Sequence, residues 1–160
     1  MSLQQKIDEV DKRILLFLTK DARKPFTEIA KDLDVSPGTI HVRVRKMEQQ
    51  GLIRGASLHI DYSKLGYSFD AYVGIKLSRS ILAPQVINEL KSIPEVVMAH
   101  LATGKYGIFC KVRCADATHG KELILKLNNI DGVVDTETML SLEECINSHK
   151  LLMENIVNNS

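Results

Sequence analysis

Residues 27–51 read TEIAKDLDVSPGTIHVRVRKMEQQG, and this stretch decides which kind of domain the N-terminal part of the chain forms. A short helical segment, about Thr27 to Leu33, stops before Val35. Ser36 then offers a side-chain oxygen to the free amides of a new helix, and Pro37 takes the first helical position, where its missing N–H costs nothing. Two short helices joined by a tight turn, the second of them basic, indicate a helix-turn-helix that reads DNA.

The second of these helices has two distinct faces. Ile40, Val44 and Met47 recur at spacings of four and three residues, so they form one apolar stripe. At ~100° per residue, the opposite face carries a mostly small, polar or cationic set: Gly38, Thr39, Val42, Arg45, Lys46 and Gln49. Such a face suits a major groove, although an ordinary hairpin with a solvated charged face gives the same pattern.

Two neighbouring features favour the DNA-binding interpretation. A preceding amphipathic helix supplies the third wall of a tri-helical core, and its apolar stripe consists of Ile7, Val10, Ile14, Phe17 and Leu18. Residues 1–60 contain eleven Lys and Arg against eight Asp and Glu, whereas the remainder contains ten against twelve. A basic head on a weakly acidic body is typical of a protein whose head alone contacts phosphate.

The composition is that of an ordinary globular protein, because 44% of the 160 residues are hydrophobic and 26% are charged. No apolar run reaches the ~18 residues of a membrane span, and the N-terminus lacks the apolar centre of a signal peptide, so we expect a cytoplasmic protein. Cys110, Cys114 and Cys145 are expected to be buried free thiols without a histidine–carboxylate partner. The spacing of the histidines indicates no metal site, and no motif indicates an enzyme or a cofactor.

Beyond Gly66 the pattern changes from helical to alternating. The predicted elements are a strand at 71–77, a helix at 84–92, strands at 96–103 and 108–114, a helix at 118–129 and a strand at 133–142. This β-α-β-β-α-β order predicts a ferredoxin-like domain, and an α+β protein overall. The tail from Glu143 to Ser160 fits a helix or an edge strand.

The boundary between the two parts falls after Gly51, a natural helix stop. Residues 56–62 are expected to be extended and residues 63–66 to form a turn. We therefore predict a helix-turn-helix (winged-helix-like) domain at residues 1–55, a hinge at 56–66 and a βαββαβ domain for effector binding and oligomerisation at 67–160.

In this order the motifs resemble the Lrp/AsnC (leucine-responsive/asparagine-responsive) family of transcription regulators. The resemblance covers nearly the whole chain and rests on five segments: residues 11–15 with 21–23, residues 28–30 with 35–44, Gly51-Leu52-Ile53, Leu65-Gly66-Tyr67, and Thr103-Gly104-Lys105-Tyr106. The segment SPGTIHVRV is closest to the asparagine-responsive branch. One position departs from the family, because Gly107 stands where an aspartate usually follows the tyrosine.

The resemblance implies a regulator that binds double-stranded DNA and a free amino acid. It also implies homodimers formed through the sheet domain, a higher assembly, often an octamer, and an effector site where dimers meet. Because the carboxylate usual at position 107 is absent, the identity of the effector is open.

On the recognition helix we assign Thr39, His41 and Val42 to base edges or the thymine methyl. Ser36 and Gly38 lie where free amides favour a phosphate. Three cations are expected to contact phosphates without reading sequence: Arg45, Lys46 and Arg54. Ser36 fits equally well as a cap alone, His41 as a solvated side chain, and Arg43 as a structural salt-bridge partner or a phosphate contact.

The effector residues are expected in the turn Thr103, Gly104, Lys105, Tyr106 and Gly107, and in Asp135, Thr136 and Glu137. By its residues alone the turn fits a plain hairpin, and the family resemblance favours a binding role. Turn amides can donate to an effector carboxylate, while carboxylates of the last strand can accept from its ammonium. Thr136 and Glu137 point to opposite faces, so at most one of the two faces the ligand.

Two other functions remain compatible with the sequence. One is an architectural DNA-binding protein without an effector, which the glycine at position 107 keeps open. The other is an amino-acid-sensing domain whose helical head docks a protein partner, although docking surfaces usually expose apolar side chains rather than Arg45 and Lys46.

Overall fold

A computed structural model describes residues 7–159, which divide into two compact units. The first unit runs to His59 and includes the chain from Ile146 onward, and the second is Ile60–Cys145. Residues 1–6, with which we argued against a signal peptide, and residue 160 lie outside this description. No helix in the described part of the chain is long and apolar enough to cross a membrane.

The helices are α1 (Glu9–Lys20), α2 (Phe26–Asp32), α3 (Pro37–Gln49), α4 (Ala83–Leu90), α5 (Ala117–Asn128) and α6 (Lys150–Asn158). The strands are β1 (Phe69–Leu77), β2 (Val96–Leu101), β3 (Ile108–Cys114) and β4 (Val133–Leu140). All four described strands lie in the second unit, in the predicted βαββαβ order.

The core of the first unit is the predicted tri-helical one. Ile14 of α1, Ile29 of α2 and three residues of α3 (Ile40, Val44 and Met47) are buried together. The start of α1 is fixed by a capping box, because the Asp8 side chain accepts from the Asp11 amide while the Asp11 side chain accepts from the Asp8 amide. Gly51, with φ +70°, follows α3 as predicted.

The second unit is an antiparallel sheet in the order β2-β3-β1-β4, with α4 and α5 on one face. Val73 of β1 lies opposite Cys110 of β3 and Thr138 of β4, and this register sets which side chains share a face. Ala71, Val73 and Ile75 are fully buried against the two helices. The other face, which we call the open face, carries Tyr72, Lys76, Phe109, Lys111 and Glu137.

The structure places part of the C-terminal tail differently from our prediction. Residues from Ile146 onward, which we assigned to the second domain, belong to the first unit, where α6 packs on α1. Lys20 Nζ of α1 lies 2.9 Å from Glu154 Oε1 of α6. Met153 and Val157 of α6 are half-buried, whereas Leu151 and Leu152 are exposed. Of the helix and strand alternatives, the helix is found, because Met153 and Val157 are one helical turn apart and form a stripe.

The cysteines are free, as expected, but not all are buried. Cys110 and Cys114 are fully buried in β3, where burial raises the pKa of the Cys110 thiol to about 11. The prediction was wrong for Cys145, which is exposed in the irregular segment between β4 and α6.

Candidate DNA interface and effector site

The N-terminus of α3 is organised by Ser36. Its Oγ accepts a hydrogen bond from the Thr39 amide at 3.1 Å and lies 2.9 Å from Thr39 Oγ1. Ser36 is therefore a helix cap, as predicted, and the Thr39 amide has a partner within the protein. Gly38 is exposed beside them.

The outer face of α3 presents most of the predicted DNA-binding residues to solvent. The side chain of Val42 is 67% exposed, and Arg45 and Lys46 are exposed as well. An open groove of about 630 Å³ brings together Asp8, Asp11, Ser36, Gly38, Thr39, Val42, Arg43 and Lys46. Arg45, His41 and Arg54 lie outside that groove. The ring of His41 lies edge-on to Phe26 of α2, with 6.0 Å between ring centroids.

Arg43 makes two ion pairs with the start of α1. Its Nη1 lies 2.7 Å from Asp8 Oδ2 and 2.8 Å from Asp11 Oδ1. The sequence left two roles open for Arg43, a structural salt bridge or a phosphate contact, and in the structure Arg43 forms the salt bridge. The pKa of Asp8 is lowered, mainly because its carboxylate accepts from the Asp11 amide and also because Arg43 hydrogen-bonds it. Asp8 and Asp11 were not among the residues that we predicted for this surface from the sequence.

The Thr103–Gly107 turn lies in the connection between β2 and β3 and lines part of a pocket. Gly104 has φ +102°, and the Gly107 amide donates to the Ile75 carbonyl at 3.0 Å. All five turn residues line a pocket of about 660 Å³, which is completed by Lys76, Leu77, Ser80, Ala83, Leu101, Ala102 and Val134. The lining combines apolar side chains with two lysines and three hydroxyls, those of Ser80, Thr103 and Tyr106.

Two glycines shape this pocket, and sequence reasoning missed one of them. A Cβ added at Gly74 would lie 2.6 Å from the Tyr106 ring, so the ring packs where a side chain would otherwise stand. A Cβ at Gly107 would lie 2.9 Å from Leu77 Cδ1. A glycine inside an alternating strand signals such a close approach, and Gly74 could have been recognised by that rule.

The three predicted residues of β4 do not line this pocket, to which β4 contributes Val134. Asp135 Oδ2 lies 2.8 Å from Lys76 Nζ, and Glu137 forms an ion pair with Lys105. These lysines lower the pKa of the two carboxyls, chiefly through the hydrogen bonds they donate. Thr136 lies on the other face opposite Ile75, and its buried Oγ1 has no hydrogen-bond partner among residues 7–159.

A histidine–carboxylate pair near a cysteine, which we did not expect, is present beside Cys114. His119 Nε2 lies 3.1 Å from Glu95 Oε1, while His119 Nδ1 accepts from the Ala115 amide. Burial first, and then the charges of Glu95 and Asp116, raises the pKa of the Cys114 thiol. A buried thiol with a raised pKa is a poor nucleophile.

Two segments of the chain match known families. Residues 7–54 match a family described as winged helix-turn-helix DNA-binding, and residues 70–151 match the Lrp/AsnC ligand binding domain. The chain is 46% identical to regulatory protein AsnC of Haemophilus influenzae over 141 residues, which is 88% of this chain and 94% of that relative.

Solved structures are similar over the same span. The structure of Escherichia coli AsnC matches with a TM-score of 0.81 and 38% identity, covering 89% of this chain and 96% of that one. A transcriptional regulator from Neisseria meningitidis, solved in complex with L-methionine, matches with a TM-score of 0.86 and 18% identity, covering 94% and 99% of the two chains. The latter similarity concerns the fold alone.

Proposed function

Since the chain belongs to the Lrp/AsnC family of DNA-binding transcription regulators, we propose that it binds a free amino acid at the pocket around Thr103–Gly107. This ligand changes the assembly of the protein or its DNA binding. The chain is thus a cytoplasmic regulator without a metal or organic cofactor, whose two units divide DNA recognition and effector binding between them.

The observation that carries the effector proposal is the pocket itself. The five contiguous turn residues that the family resemblance assigned to effector binding all line one cavity of about 660 Å³. The ammonium groups of Lys76 and Lys105 and the turn amides are donors for an α-carboxylate. Leu77, Ala83 and Val134 supply an apolar wall for the rest of the ligand.

The ammonium of the ligand needs an acceptor, and the family's usual aspartate is absent at Gly107. We assign this role to Asp135 or Glu137 of a second copy of the chain, and not to Thr136, whose buried hydroxyl lies on the opposite face of the sheet. Within one chain these carboxylates are held by Lys76 and Lys105. Exchange of these ion pairs for contacts to a zwitterionic ligand would couple effector binding to assembly.

The assembly proposed is a homodimer that associates further, up to the octamer that the family implies. The open face supports a sheet-to-sheet contact, because it faces away from α4 and α5 and carries the stacked rings of Tyr72 and Phe109, 5.7 Å apart.

For DNA, the roles follow from position on α3. Thr39, His41 and Val42 read base edges, while Ser36 and Gly38 lie against a phosphate at the helix start. Arg45, Lys46 and Arg54 contact phosphates. The support is the exposure of all of these residues except Thr39, which is half-buried.

A thermal-shift screen of the twenty amino acids tests the effector site, since a ligand that binds only the native state raises the melting temperature. The screen is repeated on Gly104→Ala and on a matched control, Gly66→Ala. Both glycines have positive φ and open space around a new Cβ, so both variants carry similar backbone strain. We expect one amino acid to stabilise the wild type and Gly66→Ala but not Gly104→Ala.

Two results would contradict the proposal in different ways. A ligand that stabilises both variants equally would place the effector site away from the turn. A wild type that responds to no amino acid while binding DNA would favour the architectural function, and one that binds no DNA would favour the partner-docking head.

A further inference from the structure

The DNA-reading face of α3 contains a cation that is held in ion pairs within the protein. Arg43 is one helical turn from Thr39 and three residues before Lys46, and all three line the same groove. Its guanidinium is tied to Asp8 and Asp11 at 2.7 and 2.8 Å. The side chain of Asp11 is only 14% exposed, so the pair is better shielded than an ordinary surface salt bridge.

The two carboxylates have a second effect besides holding Arg43. Together with the guanidinium they give the cluster a net charge of −1, in the groove that also contains Ser36 and Lys46. A phosphate lying along that groove would meet the ammonium of Lys46 and one net negative cluster. Affinity for DNA of any sequence depends almost wholly on the neutralisation of phosphates. Discrimination between sequences depends instead on contacts to the bases.

We propose that Asp8 and Asp11 are specificity-determining residues for DNA binding, which withhold Arg43 from the phosphate backbone and so reduce affinity for non-target sequences. Arg43 itself is a positioning residue, because it joins the start of α1 to the reading face of α3. The inference depends on the DNA interface and is independent of the effector pocket.

The test measures how salt weakens binding of the full-length protein to a random-sequence duplex, by fluorescence anisotropy. In the double variant Asp8→Asn with Asp11→Asn, Arg43 is released and gains a phosphate contact. Each contact makes the negative slope of log affinity against log salt steeper by about 0.9. Between ~50 and ~200 mM salt, the affinity of the double variant should therefore fall about threefold further than that of the wild type. Asparagine keeps the size of aspartate and caps helices as well, so α1 should stay folded.

Two controls separate this effect from general electrostatics. Glu9→Gln removes a negative charge from the same turn of α1, where Glu9 pairs with Lys12 at 2.7 Å rather than with α3, and should leave the slope unchanged. Adding Arg43→Gln to the double variant should return the slope to the wild-type value.

A slope that stays at the wild-type value in the double variant would overturn the proposal and leave the cluster as a structural clamp. So would a steeper slope that persists when Arg43 is removed, since the added contact would then come from elsewhere. A wild type that binds no DNA would contradict this inference and the proposed DNA interface together.

Discussion

At the scale of single residues, glycines that leave room for a neighbouring side chain matter as much as the side chains that make contacts. Tyr106 packs over Gly74 and Leu77 packs over Gly107, so two glycines give the Thr103–Gly107 turn its place on the sheet. Ser36 caps the start of α3 and Arg43 ties α3 to α1, while Val42, Arg45 and Lys46 stay exposed for the proposed DNA contacts.

Replacement of Gly74 by alanine should destabilise the second unit. A new Cβ would lie 2.6 Å from the Tyr106 ring, which must move or lose its packing. Overpacking of this kind typically costs about 1–3 kcal/mol, measured as a lower free energy of unfolding in urea. Gly38→Ala is the control, because its Cβ would meet Ser36 Oγ at an ordinary 3.7 Å and it lies in a helix. Equal stability of Gly74→Ala and the wild type would show that the ring is not confined there.

The side chains of α3 should fall into two functional groups. Arg45→Ala should weaken binding to every duplex and flatten the salt dependence by roughly one counterion, because a phosphate contact is lost. Val42→Ala or His41→Ala should instead change base preference, by about 1–3 kcal/mol for a true base contact. Competition binding over a randomised duplex at several salt concentrations separates the two. An unchanged salt slope in Arg45→Ala would refute the assignment of Arg45.

At the scale of elements, the sequence predicted most of the fold because each element carries a complete local signal. Ala71, Val73 and Ile75 alternate and are fully buried, and Ser36-Pro37 starts α3 where predicted. The ion pairs of Arg43 and of the β4 carboxylates were beyond the reach of local patterns, because each joins residues more than 30 positions apart. For the same reason the packing of α6 on α1 could not be read from the tail.

The contact between α6 and α1 should contribute to the stability of the first unit. Met153 is half-buried and Leu152, its neighbour, is 61% exposed. Met153→Asp should therefore destabilise the first unit by about 1–3 kcal/mol, since it buries a charge without a partner. Leu152→Asp should change stability little. Amide hydrogen exchange in α1 reports the difference directly, and equal protection of α1 in the two variants would show that α6 does not stabilise it.

At the scale of the whole molecule, the chain passes between its two units twice, near residue 60 and near residue 145. The second crossing follows β4, the strand whose carboxylates bind Lys76 and Lys105 at the proposed effector site. The first unit is therefore linked covalently to both ends of the sheet unit, and assembly of the sheet units would bring two DNA-reading heads together.

The oligomer should form through the second unit. A fragment of residues 60–145 should be at least dimeric in sedimentation, because its open face leaves Tyr72, Phe109 and Met139 available to a second copy. A fragment of residues 1–55 should be monomeric and bind DNA poorly, since it loses α6, which packs on α1, and also the coupling of two half-sites. A monomeric sheet fragment would contradict the proposed architecture.

One experiment tests directly whether effector binding changes DNA binding or assembly. DNA affinity and sedimentation of the full-length protein are measured with and without the amino acid that raises its melting temperature, for the wild type and for Gly104→Ala. We expect the amino acid to change the affinity, the assembly or both in the wild type and to change neither in the variant. An amino acid that binds the wild type but leaves both quantities unchanged would contradict the claim that this protein is an effector-responsive regulator.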